Sequence, residues 1–417
     1  MREILWNIVH TSGAKIYSLA LAIVTLSLTA RWLGPEGRGQ MVAITTWVTM
    51  FSTIGHLSLG QVAIHRATIK KDNQWLGEVL GSLLVLTAVF TVLCWAVAIT
   101  AHLLTKGKFF GTLPNWLLAV SFGALPLYIW EQYGSSLLML LNRIGIYNKY
   151  QVIGRTIGLF VLVVFVSWFS LGVSGAIYAT IIGQFVVAIS GIRFLYSQSG
   201  GRVRAEKQEI LALLSGGVRL HWNAIGVVAF GSADILIINY FRGAEEAGYY
   251  QLAAQLIGVM LIVPQAASMI MYGKIATLGP DAAWAHHKKV LMYTVGLIIV
   301  GIVCAWILAP WIVTLVAGTK FISSVTVFRW LLLAVIGMTF STIMAPQWIG
   351  RGFFLQAAFI TIVVGSLSTI ANFLLVPRYG MLGATWSAIG AYGLSVMLNM
   401  GMVAFCNNKS REASDNG

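Results

Sequence analysis

The chain has 417 residues, of which 58% are hydrophobic and only 10% charged, with a mean hydropathy of +0.83. A soluble protein carries roughly 25% charged residues, and so few charges could not cover the outside of a water-soluble fold this size. Soluble enzymes, secreted disulfide scaffolds and disordered chains are excluded on that ground, and an all-α polytopic membrane protein is predicted. The net charge of +14 comes from 27 basic and 13 acidic residues spread along the chain. With no dense basic tract interleaved with aromatics, it points to anionic membrane lipid and not to nucleic acid. Cys94, Cys304 and Cys406 form no CxxC or Cys/His ligand set. They are read as packing residues, and no metal is expected.

A stretch of about 20 apolar residues can cross a hydrocarbon core as a helix. The first predicted span, 8–30, carries Lys15. It is similar to a signal-peptide core, but no small-residue cleavage site follows, and a retained span is expected. Spans 39–65 and 79–105 are uncharged, and 115–140 carries Glu131. The interval 156–192 is too long for one helix and is predicted to break around Ser170 to Ser174, giving two. The seventh span, 217–240, carries Asp234. Spans 247–273, 290–319, 330–350, 352–377 and 379–408 complete a count of twelve transmembrane helices. Pro264, inside the eighth, removes one backbone bond and predicts a kink.

An even count puts both termini on one side. With those termini inside, 18 basic residues fall in cytoplasmic segments and 8 in outer ones, Arg38 among the latter, as the positive-inside rule requires. The expected organisation is an N-lobe over 1–196, a cytoplasmic linker over 197–214, a C-lobe over 215–405 and a polar cytoplasmic tail over 406–417. The halves also look duplicated. Gly34, Glu36 and Gly39 map onto Gly243, Glu245 and Gly248 at an offset of 209, and Arg143 maps onto Arg351 at 208. The turn Gly172 to Ala176 maps onto Gly380 to Ala384, also at 208. Two six-helix lobes inserted in the same orientation are expected to be pseudo-symmetric about an axis along the membrane normal, around a central cavity. Lobes of that kind can rock to expose a site alternately, which points to transport.

Charges inside the bilayer mark the candidate site. Lys15 either snorkels to headgroups or lines the cavity and attracts an anion. Arg219, near the start of the duplicate helix, could share that vestibule. Glu131 and Asp234 could each form an ion pair, hold a coupling cation, carry a proton or touch substrate. Arg143 and Arg351, with Lys149 and Arg155, either set topology or gather phosphate-bearing headgroups at the inner mouth, since cations make charge-assisted bonds to phosphate. His56, Gln61 and Asn142 are polar candidates for the cavity wall; a hydrogen bond between helices is the plainer role for His56.

Three stretches carry a family resemblance: Ala30-Arg31-Trp32-Leu33-Gly34-Pro35-Glu36-Gly37-Arg38-Gly39-Gln40; Ala233 to Tyr240 leading to Gly248-Tyr249-Tyr250 and Pro264; and a late helix with Asn372, Pro377, Gly380, Gly383 and Ala384. From about residue 4 to 405 the chain resembles the polysaccharide transporter and O-antigen flippase family of the multidrug/oligosaccharidyl-lipid/polysaccharide exporter superfamily. That resemblance implies a monomeric flippase of the bacterial inner membrane. It would pass the headgroup of an undecaprenyl-diphosphate-linked oligosaccharide, an intermediate of surface polysaccharide such as lipopolysaccharide, through a cationic cavity. No covalent step and no cofactor are implied, coupling to H+ or Na+ stays open, and polysaccharide assembly proteins are possible partners. An ion-coupled multidrug exporter is the rival reading, with a membrane-embedded glycan polymerase or ligase and a scaffold protein behind it.

Overall fold

The computed structural model describes the backbone of residues 2–67 and 73–415 and the side chains of 17–67, 75–218, 220–221 and 233–406. Among these residues every regular element is helical. Helix α1 (Arg2–Gly55) carries the first predicted span and most of the second in one run, bent at Gly34, whose φ of 68° and ψ of −178° lie outside the helix. Pro35 follows and has no amide hydrogen to continue the ladder. A break at His56 to Ser58 precedes α2 (Leu59–Ala67), and there Leu57 and Ser58 both have positive φ, 44° and 53°.

After α3 (Asn73–Leu104), the fourth span is divided into α4 (Asn115–Gly123) and α5 (Leu125–Leu140). The apolar stretch predicts one helix; Pro126 is the reason there are two. Pro126 cannot donate to the Phe122 carbonyl four residues earlier. The indole Nε1 of Trp95 donates to that oxygen instead, at 2.8 Å. The interval 156–192 breaks where predicted: α6 (Ile144–Val163) runs into a wide turn, Val164–Trp168, before α7 (Gly172–Gln198).

Helix α8 (Lys207–Arg242) ends at Gly243, whose φ is 90°. The pair α9 (Ala244–Met260) and α10 (Ile262–Leu278) is bent by 43°, the kink expected from Pro264, which leaves the Met260 carbonyl without its helical donor. The chain continues through α11 (Trp284–Ala317), α12 (Ser324–Gly350), α13 (Phe354–Tyr379) and α14 (Met381–Asp415). Among the described residues eight helices are each long and apolar enough to span a membrane, counting the run Tyr17–Ala67 once, and the bent pair is a ninth. That run has 51 residues, room for two crossings of about 20. Together with the α4–α5 pair and α8, it brings all twelve expected spans into correspondence with helices.

Contacts group the chain into two units, one of Met1–Val228 with Gly243–Glu245, the other of Ala229–Arg242 with Glu246–Gly417. In the first, α5 packs against α2 and α7 around a core that includes Phe51, Leu83, Ile129, Tyr133 and Leu137. The polar segment after α7 is docked on α3. A Cβ on Gly77 would lie 1.9 Å from the Arg202 carbonyl oxygen, so only glycine admits that approach. Arg204 N donates to Gly77 O and Glu206 N to Ser82 Oγ. Arg66 then clamps Glu209 with two bonds of 2.7 Å, tying α2 to the start of α8. In the second unit, α12 packs against α10, α11 and α14, and α13 lies along α14.

The duplicated turns share their backbone conformation. Gly34 and Gly243 have φ of 68° and 90°; Gly172 and Gly380 have 55° and 58°. Residues beside them also come together at matching positions: a Cβ on Gly37 would sit 3.0 Å from Val173, and at the corresponding positions Met381 N donates to Glu246 Oε2 at 2.8 Å. Arg38, counted among the outer charges, is 3% exposed, and its Nη1 donates to Thr29 Oγ1. One expectation is corrected: Cys94 is buried as expected, but Cys304 is exposed on α11 and packs into no core.

Candidate functional site

In the first unit, Glu131 sits on α5 and gathers donors from two neighbouring helices. Tyr147 Oη donates to its Oε1 at 2.8 Å, Gln151 Nε2 donates to the same oxygen, and Gln184 Nε2 donates to Oε2. Gln151 also donates to the Tyr147 hydroxyl at 2.9 Å, so α5, α6 and α7 are joined by one network. All these donors are neutral. The carboxylate is half-buried, and three bonds offset much of the penalty of removing it from water.

The second unit holds a separate centre of similar design. Asp234 on α8 accepts from Tyr250 Oη at 2.7 Å on Oδ2 and from Asn372 Nδ2 at 2.5 Å on Oδ1. Tyr250 comes from α9 and Asn372 from α13, so three helices converge on one acid. Asn372 is fully buried, and its Oδ1 has no hydrogen-bond partner. Each centre is a carboxylate inside a span, held by a tyrosine and one or more carboxamides. Such a group can stay ionised among neutral donors, bind a proton, or take a cation beside the amide oxygens. Among the described residues no three His, Cys, Asp or Glu side chains gather closely enough to hold a metal ion.

The basic candidates fall differently. The side chains of Lys15 and Arg219 lie outside the described residues. Arg143 is exposed at the N-terminal edge of α6, next to Asn142, whose φ of 54° places it in the left-handed turn between α5 and α6. Asn142 is thus a turn residue, also exposed. Arg351 is paired: its Nη2 lies 2.6 Å from Asp281 Oδ1. Gln61 is exposed on α2.

His56 caps its own chain break. Its Nδ1 accepts from Ser58 N at 2.9 Å, and Ser58 Oγ is 3.2 Å from His221 Nδ1 on α8. The two imidazoles are 5.6 Å apart, edge to face. His56 therefore makes a hydrogen bond, within its own turn, and joins α8 through Ser58 and ring packing. His221 went unrecognised from sequence, as did Tyr147, Gln151 and Gln184. Tyr250 and Asn372 stood in the stretches that carried the resemblance, without an assigned role. A polar side chain in an apolar helix was the available signal for all six.

Comparison with solved structures places this architecture. "Lipid II flippase MurJ, inward closed conformation" superposes with a TM-score of 0.80 at 13% identity, over 95% of this chain and 87% of the other. An inward-facing multidrug resistance MATE family transporter of the MOP superfamily gives 0.73 at 13% identity, over 95% and 96%. A MOP superfamily transporter from Pyrococcus furiosus gives 0.63 at 14%, over 95% of each chain. At such identities these likenesses establish the fold. Among curated proteins, none matches the chain in sequence. The sequence model described as "Polysaccharide biosynthesis protein" matches residues 4–272, well over half of the chain. On that match, this twelve-helix membrane protein belongs to the polysaccharide biosynthesis protein family.

Proposed function

We propose that the protein flips an undecaprenyl-diphosphate-linked oligosaccharide across the bacterial inner membrane, for surface polysaccharide synthesis, by alternating access of its two lobes. The family match over residues 4–272 carries this reading, because it ties a multi-pass helical chain to polysaccharide synthesis. The transporter fold supports movement of the glycan over its polymerisation, and flipping makes or breaks no covalent bond. The distribution of basic residues supports cytoplasmic termini in this reading.

In this reading Lys15 and Arg219 offset the charge of the diphosphate as it leaves water, the role for which cations inside a membrane are suited. Arg143, exposed at the inner end of α6, is free to meet a phosphate on approach; Arg351 would exchange Asp281 for it. Asp234 and Glu131 are assigned to coupling, as acids that bind H+ or Na+ in one state and release it in the other.

The test is reconstitution of the purified protein in proteoliposomes with a labelled lipid-linked oligosaccharide, following the headgroup with and without an ion gradient. Gradient-stimulated movement of the headgroup supports the proposal. A correctly inserted protein that leaves the glycolipid in place but exports cationic drugs would replace it with the multidrug reading.

A further inference from the structure

A second site lies in the first unit, apart from either acidic centre. Because Pro126 interrupts the fourth span, α4 packs against α1 and α7 while α3 packs against α1 and α5. Between the far ends of α3 and α4 this leaves a cavity of about 560 Å³. Its wall is formed by Trp95, Ile99, Leu103, Phe110, Leu118 and Phe122, with Gly123 at the α4 end. The size falls within the roughly 300–1,000 Å³ of small-ligand pockets. Ile99 and Leu103 are 59% and 69% exposed, so the wall continues onto the surface that faces lipid.

The rim has the opposite character. Residues 105–114 join α3 to α4 through a run of tight turns: Gly107 N donates to His102 O at 2.8 Å, Lys108 N to Thr105 O at 3.1 Å and Gly111 N to Lys108 O at 3.0 Å. Lys106 at φ 52° and Gly107 at φ 82° fix that path. Lys106 and Lys108 stand exposed on it, between His102 and Phe110, which both line the cavity. Among the described residues neither lysine forms an ion pair. An apolar slot whose lining residues His102 and Phe110 bracket two exposed lysines in the chain is complementary to a molecule with a hydrocarbon chain and an anionic phosphate head.

We infer that this cavity is a binding site for an anionic phospholipid, one acyl chain lying between α3 and α4 and the headgroup phosphate on Lys106 and Lys108. The site does not depend on what the protein transports. It would hold α4 in place at the break, where Trp95 already supplies the bond that Pro126 cannot.

Gly123 allows the chain and the head to be tested apart. A Cβ there would meet nothing within 4 Å, so the side chain of Gly123→Leu starts into open space beside the slot. The experiment is native mass spectrometry of the full-length protein in detergent, offered equal amounts of phosphatidylglycerol and phosphatidylcholine. The wild type is expected to retain phosphatidylglycerol in preference. Each lysine near a surface anion contributes about fivefold in binding, so Lys106→Gln with Lys108→Gln should remove a preference of roughly tenfold or more. Gly123→Leu should lower retention of both lipids while its circular dichroism and elution volume match the wild type. Equal retention of the two lipids by the wild type overturns the site. A preference that survives the double lysine change overturns the headgroup assignment, and undiminished retention by Gly123→Leu overturns the chain assignment.

Discussion

The Asp234 centre offers a measurement of whether its carboxylate carries charge in the membrane. Tyr250 Oη donates to Asp234 at 2.7 Å, and the Tyr250→Phe change removes that bond while keeping the ring. A hydrogen bond to a charged group contributes about 1.5–3 kcal/mol, and one between neutral groups about 0.5–1.5 kcal/mol. Polar contacts inside membrane proteins run lower, averaging about 0.6 kcal/mol with a maximum near 1.7 kcal/mol. The two ranges meet at about 1.5 kcal/mol, the expected loss for Tyr250→Phe if Asp234 is ionised. In an Asp234→Asn background the acceptor is neutral, and the same change should lose about 0.5 kcal/mol. The double-mutant cycle therefore has an expected coupling of about 1 kcal/mol. It is measured by reversible denaturation in mixed micelles, with near-ultraviolet circular dichroism as the probe. A coupling indistinguishable from zero would refute the ionised, tyrosine-held carboxylate. In proteoliposomes, Asp234→Asn should bring glycolipid movement to its gradient-independent rate; full gradient stimulation would remove Asp234 from coupling.

Lys15→Ala is expected to reduce glycolipid movement more than membrane insertion, and normal movement by a correctly inserted variant would end its assignment to the headgroup. Gly380→Ala should destabilise the protein by the roughly 1–3 kcal/mol of backbone strain at least, since its Cβ would also displace the Glu246 carboxylate from Arg242 and Met381 N. Gly390→Ala, which meets nothing within 4 Å, is the control expected to keep the wild-type melting temperature. Glu209→Gln removes the charge of a fully buried side chain whose partner Arg66 is 24% exposed. Discounting the buried-pair value for that half-wet arginine leaves a loss of about 1–3 kcal/mol. Trypsin should then cut faster at Arg202 and Arg204, in the segment held on α3; an unchanged rate would show that the pair does not pin it.

What the sequence made legible was whatever acts locally. A hydrophobic run announces a span because length and polarity suffice to cross lipid, and Pro264 announces a kink because it lacks one hydrogen. Pro126 carried the same signal; its consequence was hidden because the compensating donor, Trp95, lies 27 positions before the Phe122 carbonyl it serves. The acids themselves were conspicuous, as any charge in an apolar helix is. Their partners were not. Asp234 is served by Asn372, 138 positions away, and Glu131 by Gln184, 53 away. A carboxamide in a helix looks the same whether it faces an acid or a neighbouring carbonyl, so charge reveals where a centre is and only packing reveals what tunes it. Arg38 shows the converse. Its place beside a turn says nothing of burial, and the fold buries it against Thr29.

The duplication separates scaffold from chemistry in the same way. The glycine turns recur at offsets of 208 and 209 with matching positive φ. The acids do not recur. An offset of 209 carries Asp234 back to Thr25, and 208 carries Glu131 forward to Thr339. Thr339 is fully buried with an unpartnered hydroxyl, where the other half has an acid with three donors. A turn that closes two packed helices is constrained by sterics that both halves share. A carboxylate is constrained by whatever must bind and leave, and that differs between the halves. If Glu131 and Asp234 served one symmetric purpose, an acid would be expected at the duplicate of each. Their positions, on the fourth and seventh spans, indicate that the halves kept a common frame and acquired separate polar centres within it.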